Sequence, residues 1–74
     1  MTDFHAGDRV SWDTSQGRTH GRVVRKLTSR THVKTHAVAA TEEEPQYLVR
    51  SDASGDIAAH KPEALHRLSD GDDG

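Results

Sequence analysis

The chain of 74 residues contains no cysteine, so neither a disulfide bond nor a thiolate metal site can stabilise it. It has only one Phe, one Trp and one Tyr, and only two prolines. The longest apolar run, Ala37 to Ala40, is far shorter than the roughly 20 residues needed to cross a bilayer. The first residues lack a basic-then-apolar signal pattern, so we expect a cytoplasmic protein without membrane association.

Charge is unevenly distributed along the chain, although the formal net charge is only −2 at pH 7. A basic block from Arg18 to Lys34 contains no acidic residue, whereas Glu42 to Glu44 form an acidic cluster. The Gly-rich and Asp-rich tail, residues 69–74, is too polar to join a core and is predicted to be a disordered acidic tail. Residues 1–68 are therefore predicted to form a single domain.

Strand patterns dominate that domain, because apolar residues alternate with polar ones in short runs bounded by Gly, Asp, Ser or Pro. The predicted strands cover residues 8–12, 18–27, 31–38, 46–51 and 56–61, and residues 66–68 can add a final strand. The stretch His60 to Leu68, HKPEALHRL, begins with a predicted helical turn, where Pro62 fits the first position. Leu65 and Leu68 are expected to face inward and to close a barrel.

The second and third predicted strands, 18–27 and 31–38, are expected to pair across their short connection. This register places Lys26 opposite His32, Val24 opposite Lys34 and Arg22 opposite His36, so that one face is cationic. A β-bulge near Val24 would keep Arg25 out of the interior. Together the patterns predict an all-β protein, a small barrel of five to six short antiparallel strands with one helical turn near residues 62–65.

Four segments occur in an order and spacing that resemble a known family: GDRVSW from Gly7, GRVV from Gly21, PQYLV from Pro45 and HKPEAL from His60. Over about residues 7–68 the chain is similar to the small Tudor-like domain of the hypervirulence-associated protein family. The resemblance implies an SH3-like barrel. It implies no particular activity, because one fold supports many functions.

The aromatic residues argue against an aromatic cage for a methylated lysine or arginine, which needs several rings. Trp12 and Tyr47 alternate in phase with Val10 and Val49, which predicts that they lie in the core or at its border. The sequence therefore predicts a non-catalytic interaction module that binds a protein or peptide in a groove on the barrel. The candidate ligand-binding residues are Trp12, Tyr47, His60 and Lys61.

Nucleic-acid binding through the basic hairpin face, residues 18–36, is the alternative function. Cations along a β-ribbon can track phosphates, and the candidates are Arg18, Arg22, Lys26 and Lys34. The histidines are spaced so that no three of them are expected to converge, so neither a metal site nor a cofactor is predicted. Ser residues without a glycine-flanked elbow give no sign of an enzyme, and a monomer is expected.

Overall fold

The computed structural model describes residues 4–34 and 36–68, so the predicted acidic tail lies outside the described residues. Seven β-strands and one 3₁₀ turn make up the described chain. They are β1 (Arg9–Thr14), β2 (Gly17–Leu27), β3 (Arg30–Val33), β4 (His36–Ala39), β5 (Gln46–Ser51), β6 (Ile57–His60), the 3₁₀ turn (Pro62–Ala64) and β7 (His66–Arg67). The predicted all-β class and the helical turn near residues 62–65 are confirmed.

The strands form a five-stranded antiparallel sheet in the order β6-β5-β2-β1-β7, and β3 and β4 form a separate hairpin. The strand count exceeds the predicted five to six because the predicted strand 31–38 is two strands. Lys34 adopts a left-handed conformation, φ 57°, and reverses the chain between them. The prediction that this segment pairs with β2 is wrong, because β2 already has β1 and β5 as neighbours.

The residues opposite β2 therefore differ from those predicted. Lys26 lies opposite Tyr47, and Arg22 lies between Arg50 on β5 and Arg9 on β1. The predicted pairs of Lys26 with His32, Val24 with Lys34 and Arg22 with His36 do not form.

A β-bulge does interrupt β2 between Val23 and Arg25, as the sequence predicts, although it forms against β5. One extra residue reverses which face of the sheet each later side chain occupies. Val23, before the bulge, lies with Val49 on what we call the inner face of the sheet, whereas Leu27, after it, packs on the opposite, outer face with Leu48.

Two hydrophobic clusters cover the two faces. The inner cluster consists of Phe4, Val10, Trp12, Val23, Tyr47, Val49 and Leu65. The outer cluster consists of Leu27, Val33, Val38, Ala40 and Leu48, with Ile57 and Ala59 packed against it. Because the β3–β4 hairpin supplies Val33 and Val38, it serves as the cover of the outer face at this corner of the sheet.

The sheet curls until its distant strands meet. The ring of His60 on β6 lies 5.5 Å from the ring of Trp12 on β1, centroid to centroid, although β5 and β2 separate these strands in the sheet. The 3₁₀ turn then carries the chain from the β6 edge to β7 at the other edge, where β7 pairs with β1. Leu65, 5% exposed, fills the inner cluster between them. The segment His60 to Leu68 therefore closes the barrel, as predicted.

Gly21 is required where β2 passes close to the main chain of β5. A Cβ at this position would lie 1.8 Å from the carbonyl oxygen of Arg50, which is main chain and cannot rotate away. Since this approach lies between the central strand β2 and its neighbour β5, a side chain here would push them apart.

We expect Gly21→Ala to lower the free energy of unfolding by about 3 kcal/mol or more, because overpacking against main chain cannot be relieved locally. Gly55→Ala is the matched control: Gly55 has φ +77° but open space around it, so only the left-handed strain of about 1–2 kcal/mol applies. Urea unfolding of both variants measures the difference. Equal losses in the two variants would contradict the close approach.

We also expect Leu65→Ala to cost about 2–5 kcal/mol, because it opens a cavity in the inner cluster. Leu68→Ala should cost less, since Leu68 is only half-buried. Thermal unfolding compares the two. A smaller loss for Leu65→Ala than for Leu68→Ala would show that Leu65 does not close the barrel.

Candidate functional site

Tyr47, one of the four predicted ligand-binding residues, lies inside the core. Its side chain is 1% exposed, and its hydroxyl accepts a hydrogen bond of 3.3 Å from the Phe4 N–H. The rings of Phe4 and Tyr47 meet edge to face, with centroids 5.2 Å apart and an interplanar angle of 87°. Tyr47 therefore anchors the start of the described chain rather than facing a ligand.

Trp12 borders a groove at one end of the barrel. The groove has a volume of about 340 Å³, and its other lining side chains are small or polar: Thr14, Ser15, Gln16, Thr19, Ser51, Ala53, Ser54, Asp56 and Ala58. Trp12 itself is only 4% exposed, so it offers a ligand little ring surface. One ring among hydroxyls does not make a cage for a methylated cation.

Lys61 belongs to a different groove of about 450 Å³, which it shares with Glu43, Glu44 and Glu63. His60 lines neither of these grooves and is half-buried beside Trp12. The four residues therefore do not line one common groove.

The predicted basic hairpin face is also divided. Arg18 pairs with Asp13, Nε to Oδ1 3.2 Å, and Lys34 pairs with Asp56, Nζ to Oδ1 3.2 Å. Lys34 lies on the separate β3–β4 hairpin, away from Arg22 on β2. The four predicted cations therefore do not form one surface, because the register on which that surface depended does not occur.

A groove that the sequence did not indicate lies between β6 and the β3–β4 hairpin. Its volume is about 470 Å³. The lining residues are Val33, Lys34, His36, Ala37, Val38, Ala39, Gln46, Asp56, Ile57, Ala58 and Ala59. Mostly small side chains border it, so main chain lies close to its surface, and the pair of Lys34 with Asp56 closes one end.

The hydrogen-bond phase of β6 decides which of its main-chain groups face this groove. The Ser51 N–H bonds the Asp56 carbonyl at 2.9 Å, so these two residues form a hydrogen-bonded pair. Such pairs alternate along an antiparallel ladder. Ala58 and His60 therefore bond to β5, whereas the N–H and C=O groups of Ile57 and Ala59 point to the free edge. Among residues 4–34 and 36–68, no main-chain partner meets these groups.

An arrangement that superficially resembles a catalytic triad occurs on the outer face. His20 Nδ1 lies 3.4 Å from Asp52 Oδ2, and Ser11 is directly opposite His20 in the sheet. Ser11 is 2% exposed, however, and its Oγ makes no hydrogen bond within the described residues. A buried hydroxyl that does not contact the base is not an activated nucleophile.

Two titratable groups of the barrel have shifted pKa values. The His5 N–H donates a hydrogen bond of 2.9 Å to Asp8 Oδ2, and this bond lowers the pKa of Asp8. Partial burial opposes the lowering, whereas Arg67, whose Nη1 lies 3.0 Å from Asp8 Oδ2, adds to it. Arg67 also lies 5.0 Å above the Phe4 ring. Burial lowers the pKa of His60, because desolvation disfavours its protonated form.

The lowered pKa of His60 predicts a pH dependence of stability. The unfolded chain has the ordinary value of about 6.5, so below this pH the unfolded state binds the proton more readily than the folded state. The contribution of neutral His60 to the free energy of unfolding should be fully present above about pH 6.5. It should be lost as the pH falls from there through the folded pKa. We expect His60→Phe, which keeps a ring against Trp12, to reduce the loss of melting temperature between pH 7.5 and pH 5. His32→Gln, at an exposed position, is the control and should lose as much melting temperature over this pH range as the wild type. An unchanged pH dependence in His60→Phe would contradict this role.

The geometry agrees with what comparison with known proteins finds. No curated protein and no solved structure gives a significant match, and among the described residues no helix has the length and apolarity to span a bilayer. Residues 7–65 match the model of the hypervirulence associated proteins TUDOR domain. Tudor domains are generally binding modules without catalytic activity. Since the match covers most of the chain and the strands form the expected small barrel, the chain belongs to the Tudor domain family of hypervirulence associated proteins.

Proposed function

We propose that this domain binds an extended peptide of a partner protein, and that the peptide adds a strand to the free edge of β6. The observation that carries this proposal is the main chain of Ile57 and Ala59, which faces the groove beside the hairpin and with which no described strand pairs. They offer two N–H donors and two C=O acceptors. An extended peptide satisfies such groups by pairing as an antiparallel or parallel strand.

The two edges of the sheet differ in a way that supports a binding role for β6. The opposite edge strand, β7, has two residues, His66 and Arg67, and both are exposed and polar or charged. Short length and charge are common means of protecting an edge against pairing. The edge strand β6 is longer, and its sequence, Ile57-Ala58-Ala59-His60, contains neither lysine nor proline.

The groove also indicates what kind of peptide fits. Side chains of an added strand alternate between the two faces of the sheet. On the outer side they meet the apolar cluster of Val33 and Val38, and the Ala58 and Ala59 side chains leave little bulk in the way. A segment with small or β-branched residues at every second position suits this groove, and the charged pair of Lys34 with Asp56 marks one end.

Ala59→Pro tests the proposal, because it removes an N–H at the free edge and spares the bonds of Ala58 and His60 to β5. The control is Ala6→Pro. The Asp8 N–H bonds the His5 carbonyl at 3.0 Å and Gly7 has φ 93°, which defines a type II turn with Ala6 at the position that favours proline. The control should fold as well as the wild type.

Peptides selected on the wild-type domain from a random phage-displayed library are expected to bind Ala59→Pro at least tenfold more weakly and Ala6→Pro unchanged. Amide hydrogen exchange provides the second readout: binding should protect the Ile57 and Ala59 amides, while those of Ala58 and His60 change less. Selected peptides that bind Ala59→Pro as tightly as the wild type would refute strand addition. A dimer in sedimentation that Ala59→Pro dissociates would identify a second copy as the occupant instead of a partner peptide.

The cytoplasmic location and the monomeric state stay predictions.

A further inference from the structure

Arginines from strands far apart in the sequence meet in one row on the outer face of the sheet. Arg22 on β2 lies directly opposite Arg50 on β5 and, on its other side, opposite Arg9 on β1. Directly opposed residues of antiparallel strands have Cβ atoms about 4.5–5.5 Å apart and project to the same face. Arg25 follows on β2 after the bulge, opposite Leu48 of the same face. We call Arg22, Arg25 and Arg50 the arginine row.

Within the described chain, no acidic residue compensates the charge of the arginine row. Arg22, Arg25 and Arg50 are exposed, and no carboxylate of residues 4–34 and 36–68 lies within 4 Å of their guanidinium groups. Arg18 and Lys34, by contrast, do have acidic partners, Asp13 and Asp56. Directly opposed like charges destabilise a sheet, so an external anion would relieve a repulsion that the described residues leave in place.

From this arrangement we infer that the outer face binds the phosphate backbone of double-stranded nucleic acid through the arginine row. Each guanidinium can form two parallel hydrogen bonds to a phosphate, and the strand ladder holds the three groups in fixed order. Within the described chain, Phe4, Trp12 and Tyr47 all belong to the inner cluster, so bases of a single strand find no stacking platform here.

Other anionic partners fit this surface less well. Val24, 40% exposed beside Arg22 and Arg25, is the large hydrophobic side chain that stands out to solvent in the described chain. One valine supplies too little apolar area for insertion into a lipid surface. A peptide strand is accommodated at the free edge of β6, which is a separate surface. The inference therefore does not depend on the peptide-binding proposal.

The test measures binding of the full chain to a fluorescent DNA duplex of mixed sequence by anisotropy. The salt series starts at about 50 mM, where phosphate contacts are strongest, and rises from there. The variant is Arg22→Glu with Arg50→Glu. Its control is Arg30→Glu with Lys61→Glu, which changes the net charge equally at exposed positions outside the arginine row. A third variant, Arg22→Lys with Arg50→Lys, keeps the charge but removes the bidentate geometry.

We expect the arginine-row variant to bind at least tenfold more weakly than the wild type, and the control to remain within threefold. The slope of log affinity against log salt should decrease in magnitude by about 1.8 in the arginine-row variant, since each phosphate contact contributes about 0.9. The lysine variant should bind between the two. The lysine variant and the arginine-row glutamate variant should both melt at or above the wild-type temperature, because neither pair of substitutions removes a contact from the core.

Several results would overturn the inference. The wild type could show no duplex binding at about 50 mM salt, or the arginine-row variant and the control could weaken equally, which would indicate a general effect of net charge. Equal affinity for polyglutamate or for vesicles with one-fifth phosphatidylserine would show an unspecific anion surface. Tighter binding of a single strand than of the duplex would contradict the absence of stacking. All four results leave the β6 groove and its own test unaffected.

Discussion

The packing of β5 between two apolar clusters is the constraint on which the rest of the structure depends. Tyr47 and Val49 belong to the inner cluster and Leu48 to the outer one, and all three are at most 9% exposed. A strand buried on both faces requires cover on both faces. The curled sheet supplies the inner cover and the β3–β4 hairpin the outer one. The bulge in β2 follows from the same requirement, because it lets one continuous strand place Val23 on one face and Leu27 on the other.

The outer cover is small, and this has consequences for binding. The hairpin shields only the corner of the sheet near Leu27, Leu48 and Ala59. Beside that corner, the edge of β6 keeps main-chain groups with which no strand of the described chain pairs, and beyond it the outer face presents the arginine row. Both candidate surfaces thus exist because two short strands cannot cover a five-stranded sheet. A third strand in the hairpin layer could have closed the groove, and more acidic neighbours could have neutralised the arginines.

The family assignment alone does not locate a site in this chain. Tudor domains share a barrel, and function resides in the side chains and edges that each barrel presents. Here Trp12 and Tyr47 are buried in the inner cluster. Within the described chain, these rings are therefore not available to form an aromatic cage. The surfaces that remain are a strand edge and a row of cations, which recognise main chain and phosphate rather than a methylated side chain.

The local elements follow from the residue pattern. Alternation in residues 46–51 predicted β5 and assigned Tyr47 and Val49 to the same, inner face, because side-chain direction in a strand has a period of two residues. Pro62 marked the closing turn, and the position of Arg25 indicated the bulge. Only the tertiary structure decided which strands become neighbours. Pairing depends on contacts between residues distant in the chain, and the left-handed turn at Lys34, a residue type that rarely adopts this conformation, split a strand that looked continuous. The meeting of Arg22 with Arg50 and the free edge at Ile57 and Ala59 are consequences of that pairing, so no local pattern could have revealed either one.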